Sequence, residues 1–102
     1  MSEQIPRLSP AARARLKERE GLRTTAYRDA GGSQAIGYGI NQRSYPEEFA
    51  SIVSSPTKEN SDLAFDMVVD KLERGVARYP NINKLNRNQV DAVIIYVLCA
   101  ET

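Results

Sequence analysis

Glu20 and Asp29 are the two residues of this sequence whose type and spacing best fit a chemical task. They stand nine positions apart, the first in Glu20-Gly21 and the second opening Asp29-Ala30-Gly31-Gly32-Ser33. Gly21 places Glu20 at a helix C-terminus, where the negative end of the dipole makes a carboxyl harder to ionise and suits it to give a proton near neutral pH. Asp29, among turn amides in a wetter setting, is expected to stay ionised. Two carboxyl groups whose surroundings separate their proton affinities are the usual equipment for cleaving a glycosidic bond. Spacing alone leaves a plainer reading open, in which Glu20 pairs with Arg23 and Asp29 is an ordinary Asx-turn residue.

Composition removes most rival chemistries. With no histidine among 102 residues, a Ser-His-Asp triad, a Cys-His dyad and any His-ligated metal are excluded. The single cysteine, Cys99, permits no internal disulfide and is expected to be a buried small apolar residue. Lys and Arg total 14 against 13 Asp and Glu, but residues 1–45 hold eight cations against four anions, so the first part is the better candidate for an anionic partner. Arg13, Arg15, Lys17 and Arg19 spread over more than one helix face without interleaved aromatics, which reads as a solvated helix and not as a nucleic-acid site. Met1 to Leu8 has no apolar signal core, and the run from Ala92 to Ala100 is far short of the ~20 residues a membrane span needs.

The elements that must position the carboxylates follow from local patterns. Ser9-Pro10 starts a helix that ends at Glu20, stopped by Gly21. Residues 22–40 read as a small hairpin or meander: Ala26-Tyr27-Arg28 is extended, Asp29 to Ser33 is a turn, and Ala35 to Ile40 alternates large apolar with small residues. Glu47 to Val53 suggests a short helix. Thr57 caps a long one, whose apolar stripe of Phe65, Val69, Leu72, Val76 and Tyr79 ends at Tyr79-Pro80. Asn86 caps a last helix through Cys99. A hydrophobic content of 41% is enough for one core, and the chain is read as one domain, 1–102.

The wording of these stretches resembles the bacteriophage-type lysozymes, a family of glycoside hydrolases. The likeness lies in Glu20-Gly21, Tyr27-Arg28-Asp29, Gly31-Gly32 and Ile36-Gly37-Tyr38-Gly39. It extends to Thr57-Lys58-Glu59 at the start of the second major helix, and to Asn88-Gln89-Val90-Asp91-Ala92 at the opening of the central C-lobe helix. The resemblance implies an α+β fold, mainly α, with a small antiparallel β element after the first helix. Residues 9–56 would form the catalytic lobe and 57–102 the long helix and the start of a shortened C-terminal lobe.

It also implies a peptidoglycan muramidase cutting the β-1,4 bond between N-acetylmuramic acid and N-acetylglucosamine, without metal or cofactor. Glu20 would be the general acid. Asp29 would position water or stabilise developing positive charge, and Tyr27, Gly31, Gly32, Ser33, Gln34 and Tyr38 would meet the glycan. Such a protein would act in the periplasm or cell wall, from a phage particle or within an infected cell. The two carboxyl groups should then face one groove, roughly 6.5–9.5 Å apart for an inverting hydrolase.

Two positions depart from the family pattern: Ala35 stands where a threonine usually helps hold the attacking water, and Ile40 where members often have histidine. Family members also continue beyond the last helix seen here. Val90, Val93, Ile94, Val97 and Leu98 form an apolar stripe that Ala92, Ile95, Tyr96 and Cys99 extend around the cylinder, so a protein partner or a second copy is expected on helix 86–99. The alternative reading is a catalytically impaired, lysozyme-like structural or peptidoglycan-binding component of a phage particle or other assembly.

Overall fold

A computed structural model describes residues 6–100. Met1 to Ile5, Glu101 and Thr102, which the sequence reading includes in the domain, lie outside the described residues. The chain runs α1 (Pro10–Glu20), β1 (Arg23–Arg28), β2 (Gln34–Gly37), β3 (Ile40–Asn41), α2 (Pro46–Ser54), α3 (Lys58–Val76), a single 3-10 turn (Ile82–Lys84) and α4 (Arg87–Ala100). This is the mainly helical α+β arrangement expected, with the small sheet directly after the first helix.

The helix ends follow from the side chains that satisfy them. Ser9 Oγ accepts from the Ala12 amide at 3.1 Å, and Thr57 Oγ1 accepts from the Asn60 amide at 3.0 Å. At α4, Asn86 and Gln89 form a reciprocal pair: Gln89 N–H donates to Asn86 Oδ1 at 2.9 Å, and Asn86 N–H donates to Gln89 Oε1 at 3.0 Å. Gly21 stops α1 at a φ of 70°, its N–H returning to the Lys17 carbonyl.

The sheet is antiparallel, in the order β1-β2-β3. Ala35 at its centre pairs with Tyr27 on one side and Asn41 on the other, so these three side chains share one face.

Helix α3 is the axis of the core. Phe65, Val68, Val69, Leu72 and Val76 are buried against Ala12 and Leu16 of α1, Ile36 and Ile40 of the sheet, Phe49 and Ile52 of α2, and Val90 and Ile94 of α4. The predicted stripe on α3 holds through Val76. Tyr79, its expected last member, is 45% exposed because the helix ends at Val76 and turns away before reaching it.

Three buried carboxylates join the elements. Asp91 accepts from the Ser9 amide at 2.9 Å and from Ser9 Oγ at 2.7 Å, tying α4 to the cap of α1. Glu73 accepts from the Leu8 amide at 2.8 Å, with the guanidinium groups of Arg7 and Arg13 3.5 and 3.6 Å away. Glu48, with no exposed side-chain surface, lies 2.6 Å from Lys71 Nζ, and that contact is the main reason the Lys71 pKa is raised.

Two expectations for the last helix change in the structure. Cys99 is exposed. The residues α4 sends into the core are Val90, Asp91 and Ile94, and Cys99 sits roughly 140° around the cylinder from Ile94. The apolar stripe is also largely met by the chain itself, since Val93, Ile95, Val97 and Leu98 are partly buried against the core and only Tyr96, at 74% exposure, stands clear as a large hydrophobic residue.

Candidate active site

The two carboxylates predicted from sequence sit on the helix end and the turn that the local patterns specify. Glu20 is the last residue of α1, exposed, and among the described residues it forms no ion pair. Its carboxylate instead lies on the backbone of Gly39: a Cβ at position 39 would come within 2.6 Å of Glu20 Oε1 and 3.8 Å of Tyr27 Oη. Only glycine allows this approach, and Gly39 also has a positive φ of 79°. Glu20 also lines a narrow crevice with Tyr38, Gly39, Tyr45, Phe65 and, from α4, Leu98 and Cys99. Wider surface grooves lie away from it, one lined by Pro6, Arg7, Ile82, Asn83, Leu85 and Arg87, and none of these linings holds a carboxylate pair.

Asp29 is fixed by its own turn and by a distant strand. Its Oδ1 accepts from the Ser33 amide at 3.0 Å, while its N–H donates to the Ser33 carbonyl at 2.7 Å. Its Oδ2 accepts from Asn41 Nδ2 at 2.8 Å. Arg28 closes the same turn by donating to the Gly32 carbonyl at 2.6 Å. Asp29 is thus a turn residue whose side chain reaches the amide four positions on instead of the two of an Asx-turn, and the arrangement leaves lone pairs on both carboxylate oxygens.

Tyr27 connects the two groups. It is half-buried, and the Arg23 guanidinium stacks 4.6 Å from its ring centre. Arg23 thus meets Tyr27 and makes no salt bridge to Glu20. The Tyr27 phenol is raised in pKa first by burial, then by the negative charge of Glu20, with Arg23 opposing and Asp29 adding a smaller push upward. Glu20 and Tyr27 both reach the backbone of Gly39, and Asp29 lies two residues beyond Tyr27 at the end of β1.

The remaining predicted residues divide. Gly31 and Gly32 are exposed in the turn, Ser33 holds Asp29 through its backbone, and Gln34 begins β2 exposed, accepting from the Gln42 amide. Tyr38 lines the crevice with its ring, but its hydroxyl donates to Asp62 Oδ1 at 2.8 Å on the far side.

Lys17 and Lys58 also reach Asp62, at 3.1 and 2.9 Å. The Asp62 carboxyl is held down at about 2, chiefly by the Lys58 bond and then by Tyr38. Lys17 caps this cluster over the rings of Tyr38 and Phe65, one helical turn before Glu20, and so anchors the end of α1 to the sheet and α3. Ile40 is buried in the core, an apolar side chain where the family pattern often has a polar one.

A glutamate at the end of the first helix, an aspartate in the following turn and a small antiparallel sheet behind them define a lysozyme-like α+β domain. The Phage lysozyme family model matches residues 17–98, and the chain belongs to that family. No curated protein and no solved structure matches the chain. The family acts on peptidoglycan as a glycosidase, and among the described residues no helix is long and apolar enough to cross a membrane.

Proposed function

We propose that this protein is a muramidase hydrolysing the β-1,4 bond between N-acetylmuramic acid and N-acetylglucosamine, with Glu20 as general acid and Asp29 as the carboxylate that directs water. The observation that supports this reading is Glu20 at the end of α1 with its carboxylate against Gly39 beside the Tyr27 hydroxyl, without an ion pair among the described residues, and Asp29 two residues after Tyr27, held by two hydrogen bonds with lone pairs to spare. Glu20 gives its proton to the glycosidic oxygen as the bond to the anomeric carbon breaks. Water, held by Asp29, adds to that carbon from the opposite face and passes a proton to the carboxylate. Tyr27 and the turn from Gly31 to Gln34 meet the sugar, and Tyr38 contributes its ring. The reaction needs a separation of roughly 6.5–9.5 Å between the two carboxyl groups, enough for one water.

Clearing of a suspension of purified peptidoglycan, with new reducing ends identified as N-acetylmuramic acid by mass spectrometry, tests the reading. Intact glycan after prolonged incubation with folded protein would end it. The site of action would be the cell wall or periplasm, reached from a phage particle or from within an infected cell.

Ala35 favours a second reading, a lysozyme-like structural or peptidoglycan-binding component with impaired catalysis. It is 1% exposed, its methyl lies between Tyr27 and Asn41 on the face that serves Asp29, and it brings no hydroxyl to hold water. Ala35→Thr restores one. A gain of about tenfold in turnover is expected if the missing hydroxyl limits the rate, against roughly 1–3 kcal/mol of lost stability for crowding a filled site. Cosedimentation with peptidoglycan that never clears would support the binding component instead.

The partner proposed for helix 86–99 is another protein or a second copy of the chain, meeting what the core leaves exposed there, Tyr96 with Ala92 and Cys99. For a second copy, sedimentation equilibrium should show a dimer that Tyr96→Asp converts to monomer, whereas a wild-type monomer at high concentration removes self-association.

A further inference from the structure

We propose that Asn41 is the positioning residue for Asp29, holding the carboxylate in the one orientation that presents it to water. The inference rests on the muramidase reading above. Asn41 lies twelve residues beyond Asp29, in the two-residue strand β3, and is 3% exposed. Every polar atom of its side chain has a defined task. Oδ1 accepts from the Arg43 amide at 2.7 Å and from the Ser44 amide at 3.0 Å, while Nδ2 donates to Asp29 Oδ2 at 2.8 Å.

This network fixes which end of the amide faces Asp29. Flipped, the NH2 would confront two backbone N–H donors and the carbonyl would confront a carboxylate. The backbone carbonyl of Asn41 also accepts from the Tyr45 amide, so the loop carrying Arg43 and Ser44 is closed on itself and cannot drift from β3.

The consequence falls on Asp29. An aspartate in a turn swings about its χ angles unless both oxygens are held. Ser33 N–H holds Oδ1 from within the turn, and Asn41 holds Oδ2 from the opposite edge of the sheet, beside Ala35. Each oxygen keeps lone pairs for a water on the open side. With Ala35 unable to bind that water, the rigidity of Asp29 gains weight in placing it.

Asn41→Asp separates positioning from architecture. The new side chain keeps an oxygen for the Arg43 and Ser44 amides but sets a second carboxyl oxygen against Asp29, so that the two groups repel or share one proton, and in either case Asp29 is no longer held as in the wild type. For the full chain acting on purified peptidoglycan, the variant is expected to lose roughly 10- to 100-fold in kcat, with KM within about twofold and an unchanged circular dichroism spectrum. Wild-type kcat in folded Asn41→Asp would overturn the proposal, because a purely structural asparagine is replaced at no cost to turnover.

A second measurement needs no catalysis. In nitrogen-15 NMR spectra, the side-chain amide protons of Asn41 should be widely split in the wild type, one of them bonded to a carboxylate, and should draw together in Asp29→Ala. Splitting that ignores Asp29→Ala would overturn the proposal even in an active protein. A wild type that leaves peptidoglycan intact fails the muramidase reading alone, and the spectrum then decides whether Asn41 holds Asp29.

Discussion

Glu20→Gln is expected to reduce turnover of peptidoglycan by roughly 10²- to 10⁴-fold, the contribution of a positioned general acid. The amide keeps the size of the carboxyl and a hydrogen-bond donor but has no proton to transfer at any usable pH. Stability should barely change. Glu20 is exposed and forms no ion pair among the described residues, and its helix end is satisfied by Gly21 and not by its own side chain, so a surface substitution here belongs within about ±0.5 kcal/mol. Peptidoglycan clearing and a thermal melt on the same preparation decide the point. Activity within threefold of wild type, in a protein melting at the wild-type temperature, removes Glu20 from the role of acid. A variant that unfolds would instead mean that Glu20 supports the α1 end in a way its geometry does not show.

The parts of this fold that were legible in the sequence are those whose cause is local. Ser9, Gly21, Thr57 and Asn86 act on residues three or four positions away, so a reader of the sequence can see both partners at once. The Glu20 and Asp29 pair belongs to the same class, since each is defined by the helix end or turn it stands in. Asn41 was missed because its bond to Asp29 crosses the sheet. A two-residue strand whose register depends on Ala35 leaves no periodic trace, and the only available signal was a polar residue directly after Ile40 at the end of an alternating apolar run.

Helix α4 was misread for a related reason. Val, Ile, Leu and Ala occupy nearly every side of it, so no polar stripe marks which face looks outward. Asp91 lies on the core face between Val90 and Ile94, where Ser9 supplies two hydrogen bonds to it. Cys99, expected inside because a free cysteine packs as a small apolar residue, is outside. Buried Glu48 and Glu73 escaped notice in the same way. Their partners, Lys71 and the Leu8 amide with Arg13, come from other elements of the chain.

The glycines of the Ile36 to Gly39 strand end make the second large expected effect, because two substitutions of the same size should fail in opposite ways. Gly37 and Gly39 both have positive φ, at 67° and 79°, so alanine at either position carries backbone strain of roughly 1–2 kcal/mol. What the new methyl meets differs. At Gly37 it would lie 2.9 Å from Ile52 Cδ1 and 3.4 Å from Ser61 Oγ, in a packed part of the core with little room to give. Gly37→Ala should therefore add an overpacking cost of about 1–3 kcal/mol to the strain and lower the melting temperature substantially.

At Gly39 the methyl meets Glu20 Oε1 first, at 2.6 Å, with Tyr27 Oη at 3.8 Å, and Glu20 is a long exposed side chain that can swing aside. Gly39→Ala should thus stay near the strain cost alone in stability while losing about 10²-fold in activity, since a shift of about 1 Å in a proton donor costs that much. The comparison is read as activity per folded molecule against melting temperature. If Gly39→Ala keeps full activity, the carboxylate does not work from its seat on Gly39, and the crevice between the sheet and α4 is not where the glycosidic oxygen is protonated.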